Sequence, residues 1–130
     1  MFSFVYDNNA HILRISVEGL WAPEDVPALA AALGSAARRA SAIRDDFDVI
    51  VESLDFPLQA DDVADALSDI MRVGMALTTG HAAVVVGSLA NREQAERTLA
   101  HPHLRVFMSM EEAQRWLAEA GAARRGAGVR

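Results

Sequence analysis

Residues 81–88, HAAVVVGS, are apolar without alternation and close on a Gly-Ser pair. A half-exposed strand alternates apolar and polar side chains. A strand sandwiched between helix layers need not, and parallel sheets are built that way because their crossover helices cover both faces. The run therefore predicts a central strand, and its neighbours must supply two layers of cover.

The chain on either side does so. Residues 47–54, FDVIVESL, are β-branched and read as a strand, and LRVF at 104–107 as another. Between the first of these and HAAVVVGS lies a helix with Val63, Leu67, Ile70, Met71 and Gly74 facing inward and Asp65, Asp69 and Arg72 outward. After the Gly-Ser pair, Asn91 can cap a helix with Gln94 three residues on, and AHPH at 100–103 stops it because the residue before Pro102 is pushed out of helical geometry. SMEE at 109–112 is a capping box that opens a last helix burying Ala113, Trp116, Leu117 and Ala120 and ending at Gly121.

Towards the N-terminus, FSFVY at 2–6 and HILRISVEG at 11–19 have the period-two spacing of strands, with Leu13, Ile15 and Val17 on one face. DNNA at 7–10 supplies turn chemistry, so the two form a hairpin. From Pro23 onward Val26, Leu29, Leu33, Ala37, Ala40 and Ile43 mark a helix face. Pro27 within it calls for a start near Asp25 or a kink. The result is an α/β chain: a five-stranded mixed sheet, made of a leading antiparallel hairpin and right-handed strand–helix units, with four helices.

Composition narrows function. The chain of 130 residues is 52% hydrophobic, enough for one domain with its own core, expected over 1–121 with a flexible basic tail over 122–130. It has no cysteine, which excludes disulfides, cysteine-held metals and thiol catalysis. Every basic residue is arginine, which reads as a coding bias. Residues 1–123 carry nine arginines against all eighteen acids, a surface that repels nucleic acid. The N-terminal residues lack the pattern of a signal peptide, and no apolar run reaches membrane-spanning length, so no membrane insertion and a cytoplasmic location are expected.

The residues that could carry function cluster in LDFPLQADDVADAL, 54–67, where Asp61 and Asp62 open a helix. Carboxylates there meet the positive end of the helix dipole, and a cap is worth ~1 kcal/mol. Capping explains one acid; the second presents a surplus negative charge. The acids lack the spacing of a calcium loop, and His101 and His103 lack a zinc-ligand spacing, so no metal and no cofactor are expected. Both read as surface residues, and His11 and His81 as structural residues at strand starts. No acid, base and nucleophile converge, which argues against an enzyme. Gly87, Ser88 and Arg92, after the central strand, stand where open α/β sheets hold ligands and form an alternative anion site. Met71, Met75, Met108 and Met110 with Leu77 and Phe107 pack the core or line an apolar pocket.

A leading hairpin followed by wound α/β units resembles the SpoIIAA-like fold of the STAS domains, the anti-sigma-factor antagonist family. Residues 104–120, LRVFMSMEEAQRWLAEA, are similar to the ending of small SpoIIAA-like proteins, and 11–26, HILRISVEGLWAPEDV, to their strand, glycine and acidic helix start. In that family the helix after the third strand bears an Asp-Ser or Ser-Ser pair whose serine is phosphorylated by a partner kinase. The matching positions here are Ala60, Asp61 and Asp62, with no hydroxyl; the nearest serines are Ser53 and Ser68. The resemblance thus implies a non-enzymatic regulatory or protein-interaction module without the usual phosphoacceptor, its contact surface formed by Asp55, Gln59, Asp61, Asp62 and Asp65. An unidentified protein is the expected partner, with a homodimer as a further assembly. Because the fold also resembles part of the lipid-binding CRAL-TRIO architecture, the alternative is a binder of a small apolar or anionic ligand.

Overall fold

The computed structural model of the chain describes residues 1–128, with side chains through Arg124. Its elements are β1 (Phe2–Asp7), β2 (Ile12–Val17), α1 (Val26–Ile43), β3 (Asp48–Ser53), α2 (Asp61–Met75), β4 (Ala82–Val86), α3 (Leu89–Thr98), β5 (Leu104–Phe107) and α4 (Met110–Gly128). The strands lie in the order β1-β2-β3-β4-β5. β1 and β2 are antiparallel, and the remaining pairs are parallel. This is the five-stranded mixed sheet with four helices expected from the sequence.

All five residues of β4 are buried, as the unalternating run requires. Pleating divides its side chains between two layers. Val84 and Val86 pack with Val106 and with Ala95 of α3, and Leu13, Ile15, Val17 and Val49 lie beneath Leu29, Leu33 and Ala37 of α1. On the other face Ile50, Ala83 and Val85 are covered by Ala113 and Leu117 of α4. Three helices thus share one face and a single helix covers the other.

The hairpin turn uses the anticipated Asx chemistry. The Asp7 carboxylate accepts the N–H groups of Asn9 and Ala10 at 2.9 and 3.0 Å, which holds its pKa below the ordinary carboxylate value. His11, not an asparagine, takes the left-handed conformation (φ 54°). The question posed by Pro27 is resolved by a 3-10 turn at Pro23–Asp25 that hands over to α1 at Val26, leaving Pro27 in the first turn where no N–H is needed.

Three local readings are corrected. The cap of α3 is Ser88, whose hydroxyl oxygen accepts the Asn91 N–H at 3.1 Å; the Asn91 amide instead donates to the Phe56 carbonyl at 2.6 Å. On α2, Val63 is buried, but Leu67, Ile70 and Met71 are only half-buried because the helix leans on α1 and α3 rather than on the sheet. Finally, the last helix does not stop at Gly121: α4 continues to Gly128. Glycine costs a helix about 1 kcal/mol, and here the next turn offsets that by bringing Arg124 to Asp48 at 3.0 Å, a charge-assisted bond to a buried carboxylate. The Arg125 side chain and Arg130 lie outside the described residues. Among the described residues no helix is long and apolar enough to cross a membrane.

Two glycines separate backbone crowding from backbone entropy. A methyl group at Gly80 would overlap the Phe47 carbonyl, whereas one at Gly74 meets nothing within 4 Å. Urea unfolding is expected to show Gly80→Ala destabilised by about 2 kcal/mol and Gly74→Ala unchanged or stabilised by up to ~1 kcal/mol.

Candidate functional site

The loops that follow β2, β3 and β4 meet at the C-terminal edge of the sheet, and Gln59 ties them. Its Oε1 accepts the Trp21 N–H at 2.9 Å, and its Nε2 donates to the carbonyls of Gly19 and Pro57 at 3.1 and 2.8 Å. The Gln94 side chain of α3 closes on the Gln59 backbone, accepting its N–H at 3.3 Å and donating to its carbonyl at 2.9 Å. The Gly19 N–H reaches the Asp55 carbonyl at 3.2 Å, and the Gly87 backbone packs on that of Leu54. Gln59 is 4% exposed. Its amide is spent on holding the platform, so of the five sequence-predicted contact residues it alone is withdrawn from the surface.

The other four are exposed: Asp55 on the loop, and Asp61, Asp62 and Asp65 on the first turns of α2. Neither acid of the pair is the N-cap, which is Ala60; Asp62 Oδ1 accepts the neighbouring Val63 N–H at 2.9 Å. Glu18, Glu24 and Asp25 line a shallow depression with Asp55, adding to the negative charge of the edge. Large apolar side chains stand among these acids. Leu20 is 74% exposed, Leu89 67%, Leu58 51% and Leu54 41%. The sequence reading missed these leucines, because only the cross-ties between loops bring positions 20, 54, 58 and 89 to one edge.

The two serines nearest the phosphoacceptor position are both committed. Ser53 is buried and donates to the Val85 carbonyl at 2.6 Å, and the Ser68 hydroxyl donates to the Thr98 carbonyl. The anion-site residues do not converge: the Ser88 oxygen caps α3, and the Arg92 guanidinium lies along the same helix against Glu96 at 3.4 Å. The methionines do not share a pocket either. Met71 lines a cavity beneath α2 and Met75 is in the core, whereas Met110 and Phe107 pack with α4 and Met108 is exposed.

At the opposite edge of the sheet, residues far apart in sequence assemble around His81. Its ring stacks on His103 (centroids 4.6 Å apart) and meets the Trp116 edge at 5.3 Å, while His103 lies against His101. Arg124 Nη1 is 2.7 Å from His81 Nδ1. Arginine can only donate, so Nδ1 must be the unprotonated, accepting nitrogen. Burial, with the neighbouring His103 and Arg124 charges, lowers the His81 pKa, and Asp48 opposes the shift. Histidines read as surface and strand-end residues therefore form part of the clasp on α4. Among the described residues no three His, Cys, Asp or Glu side chains are placed to hold a metal ion.

No family model matches the chain, and no curated protein matches it. A solved structure does: the crystal structure of an anti-sigma factor antagonist from Mycobacterium paratuberculosis, with a TM-score of 0.62 over 91% of this chain and 95% of that one, at 13% sequence identity. The fold is that of an anti-sigma factor antagonist. The architecture that the sequence resemblance implied is therefore present from the hairpin to the last helix. At this identity the likeness speaks for the fold and leaves the surface chemistry to the residues themselves.

Two outcomes follow from these clusters. Gln59→Leu strands the buried Trp21 N–H and the Gly19 carbonyl, and denaturant unfolding is expected to register a loss of about 3 kcal/mol. The unfolded chain takes up a proton at His81 more readily than the folded one, since the folded pKa is the lower of the two. Stability contributed by neutral His81 is thus complete well above the unfolded value of about 6.5 and is lost as pH falls through and below it. Urea midpoints measured between pH 8 and pH 5 are expected to fall more for the parent protein than for His81→Gln.

Proposed function

We propose that this chain is a non-enzymatic regulatory module that works by protein–protein contact through the C-terminal edge of its sheet. What supports this reading above all is the coincidence, on the loops cross-tied by Gln59 and the helix starts they lead into, of four exposed leucines with Asp55, Asp61, Asp62 and Asp65. Exposed apolar groups inside a charged rim mark interaction surfaces, because burying them drives association while the rim selects the partner. The partner that fits is a protein with an apolar groove bordered by arginine or lysine, and the negative edge disfavours nucleic acid.

The first turn of α2 gives the proposal its regulatory sense. In the family the chain resembles, this turn toggles between a neutral serine and a phosphate carrying about −1.5 to −2 charges. Asp61 and Asp62 together carry a comparable charge with no hydroxyl to modify, so the surface is held in one charge state. A protein of this kind would act in the cytoplasm, as the composition suggested.

Affinity capture from the host lysate with Leu58→Glu and Leu89→Glu variants tests the surface, and Asp61→Ala with Asp62→Ala tests the charge. These exposed changes are expected to move stability by no more than about 0.5 kcal/mol while weakening capture of a specific partner by roughly tenfold or more. Unchanged capture by the aspartate variants would discard the fixed-charge reading. Unchanged capture by the leucine variants would discard the surface.

A further inference from the structure

Between the sheet and the three helices that share one face lies a cavity of about 100 Å³. Its floor includes Ile15, Val51 and Val84; its sides include Leu33 of α1 and Ala95 of α3; its roof is Leu67, Ile70 and Met71 of α2. We infer that this cavity is a binding site for a small, neutral, apolar molecule, with the half-buried side chains of α2 as its door.

Three observations carry the inference. First, no charged residue lines the space. Second, the polar groups on its wall are already engaged: Ser53 with the Val85 carbonyl, Gln59 with Trp21, Gly19 and Pro57, Gln94 with the Gln59 backbone, Asn91 with the Phe56 carbonyl and Thr98 with the Gln94 carbonyl. A charged ligand would find no opposite charge there and would be buried unpaired, and the few polar atoms on the wall already hold protein partners, whereas water needs two to four polar partners to occupy such a space. Third, the volume sets the size of the occupant: a dry cavity of about 150 Å³ lined by aliphatic side chains takes up benzene or xenon, and this one, at about 100 Å³, reaches that capacity when the half-buried side chains of α2 give way. This one suits a molecule of benzene size or smaller, or the last few carbons of a hydrocarbon chain. Met71 is an unbranched, adaptable side chain suited to close over ligands of different shape.

Anionic ligands, expected from Gly87, Ser88 and Arg92, are excluded from this site by the same lining. The cavity shares Gln59 with the acidic edge, but its test reads benzene uptake at Met71 and the test of the edge reads protein capture, so failure of one is distinguishable from failure of the other.

Methyl-labelled methionine NMR with benzene and benzoate decides the matter. Benzene is expected to shift the Met71 methyl resonance saturably, leaving Met108 unmoved, and to raise the melting midpoint by about 4 °C at tenfold excess over its dissociation constant. Benzoate, of similar shape but charged, is expected to do neither. Ala95→Leu, which fills the cavity from α3, is expected to abolish the benzene effect, and Ile70→Phe, at a half-buried position that tolerates change, serves where Ala95→Leu does not fold. A Met71 resonance unmoved by benzene, equal responses to benzene and benzoate, or an undiminished benzene effect in a folded filling variant would each overturn the assignment.

Discussion

A sheet whose central strand is buried along its whole length must be covered twice, and this chain has four helices with which to do it. With the strands in sequential order, each crossover of the same hand returns to the same side, so α1, α2 and α3 fall on one face. The other face depends on α4 alone. That helix lays Ala113 and Leu117 over Ile50, Ala83 and Val85, and Trp116 over Phe107 and His81. Its far end is pinned where Asp48 accepts both the His81 N–H at 2.9 Å and Arg124 at 3.0 Å. Asp48 is only 7% exposed. A carboxylate so placed is costly without its cation, so the helix that closes the second face also neutralises the charge at the start of β3.

On the crowded face the problem is the reverse. α1 carries alanines at Ala36, Ala37 and Ala40, all buried, which let it approach its neighbours closely. α3 is short and touches the sheet through Ala95. α2 then bridges from one to the other, and its larger side chains Leu67, Ile70 and Met71, only half-buried, line a space above the sheet. The unfilled space of about 100 Å³ corresponds to about 2 kcal/mol at roughly 24 cal/mol per Å³ of cavity. That is a sizeable fraction of the 5–15 kcal/mol by which domains are stable, and it falls beneath the helix whose first turn carries the acids.

What could be read from sequence was local. Strand periodicity, the unalternating HAAVVVGS run and the Ser109 to Glu112 cap involve neighbours within a few residues, and each appears where expected; the Ser109 oxygen accepts the Glu112 N–H at 3.3 Å. Apart from the cap of α2, which falls on Ala60 rather than on Asp61 or Asp62, the misreadings involve partners remote in the chain. Gln59 looks like a surface loop residue until Trp21 and Gly19 are known to sit beside it. Asn91 and Ser88 both suit a helix start, and only the position of the Phe56 carbonyl assigns the amide elsewhere. Gly121 is a natural stop unless Arg124 has Asp48 to reach. The candidate site was legible as an acidic loop, but the exposed leucines beside it come from two separate loops and the start of α3.

The acids of α2 exceed what the helix itself requires. One carboxylate in the first turn gains about 0.3–1 kcal/mol from the dipole. Asp61 and Asp62, consecutive on a helix, point about 100° apart, so they cannot both serve the same N–H groups, and Ala60 holds the cap position that either would fill best. Asp65 is then four residues from Asp61 and three from Asp62, the spacings at which like charges repel along a helix. All three are exposed, where solvent keeps that repulsion small. A helix selected for stability alone would put serine or aspartate at position 60 and a cation at 65. This one concentrates negative charge instead, on a turn whose approach is held rigid by Gln59 and whose flank offers Leu58. The excess charge is what the proposed contact with a cationic partner would use, and it comes at a small expense to the helix that carries it.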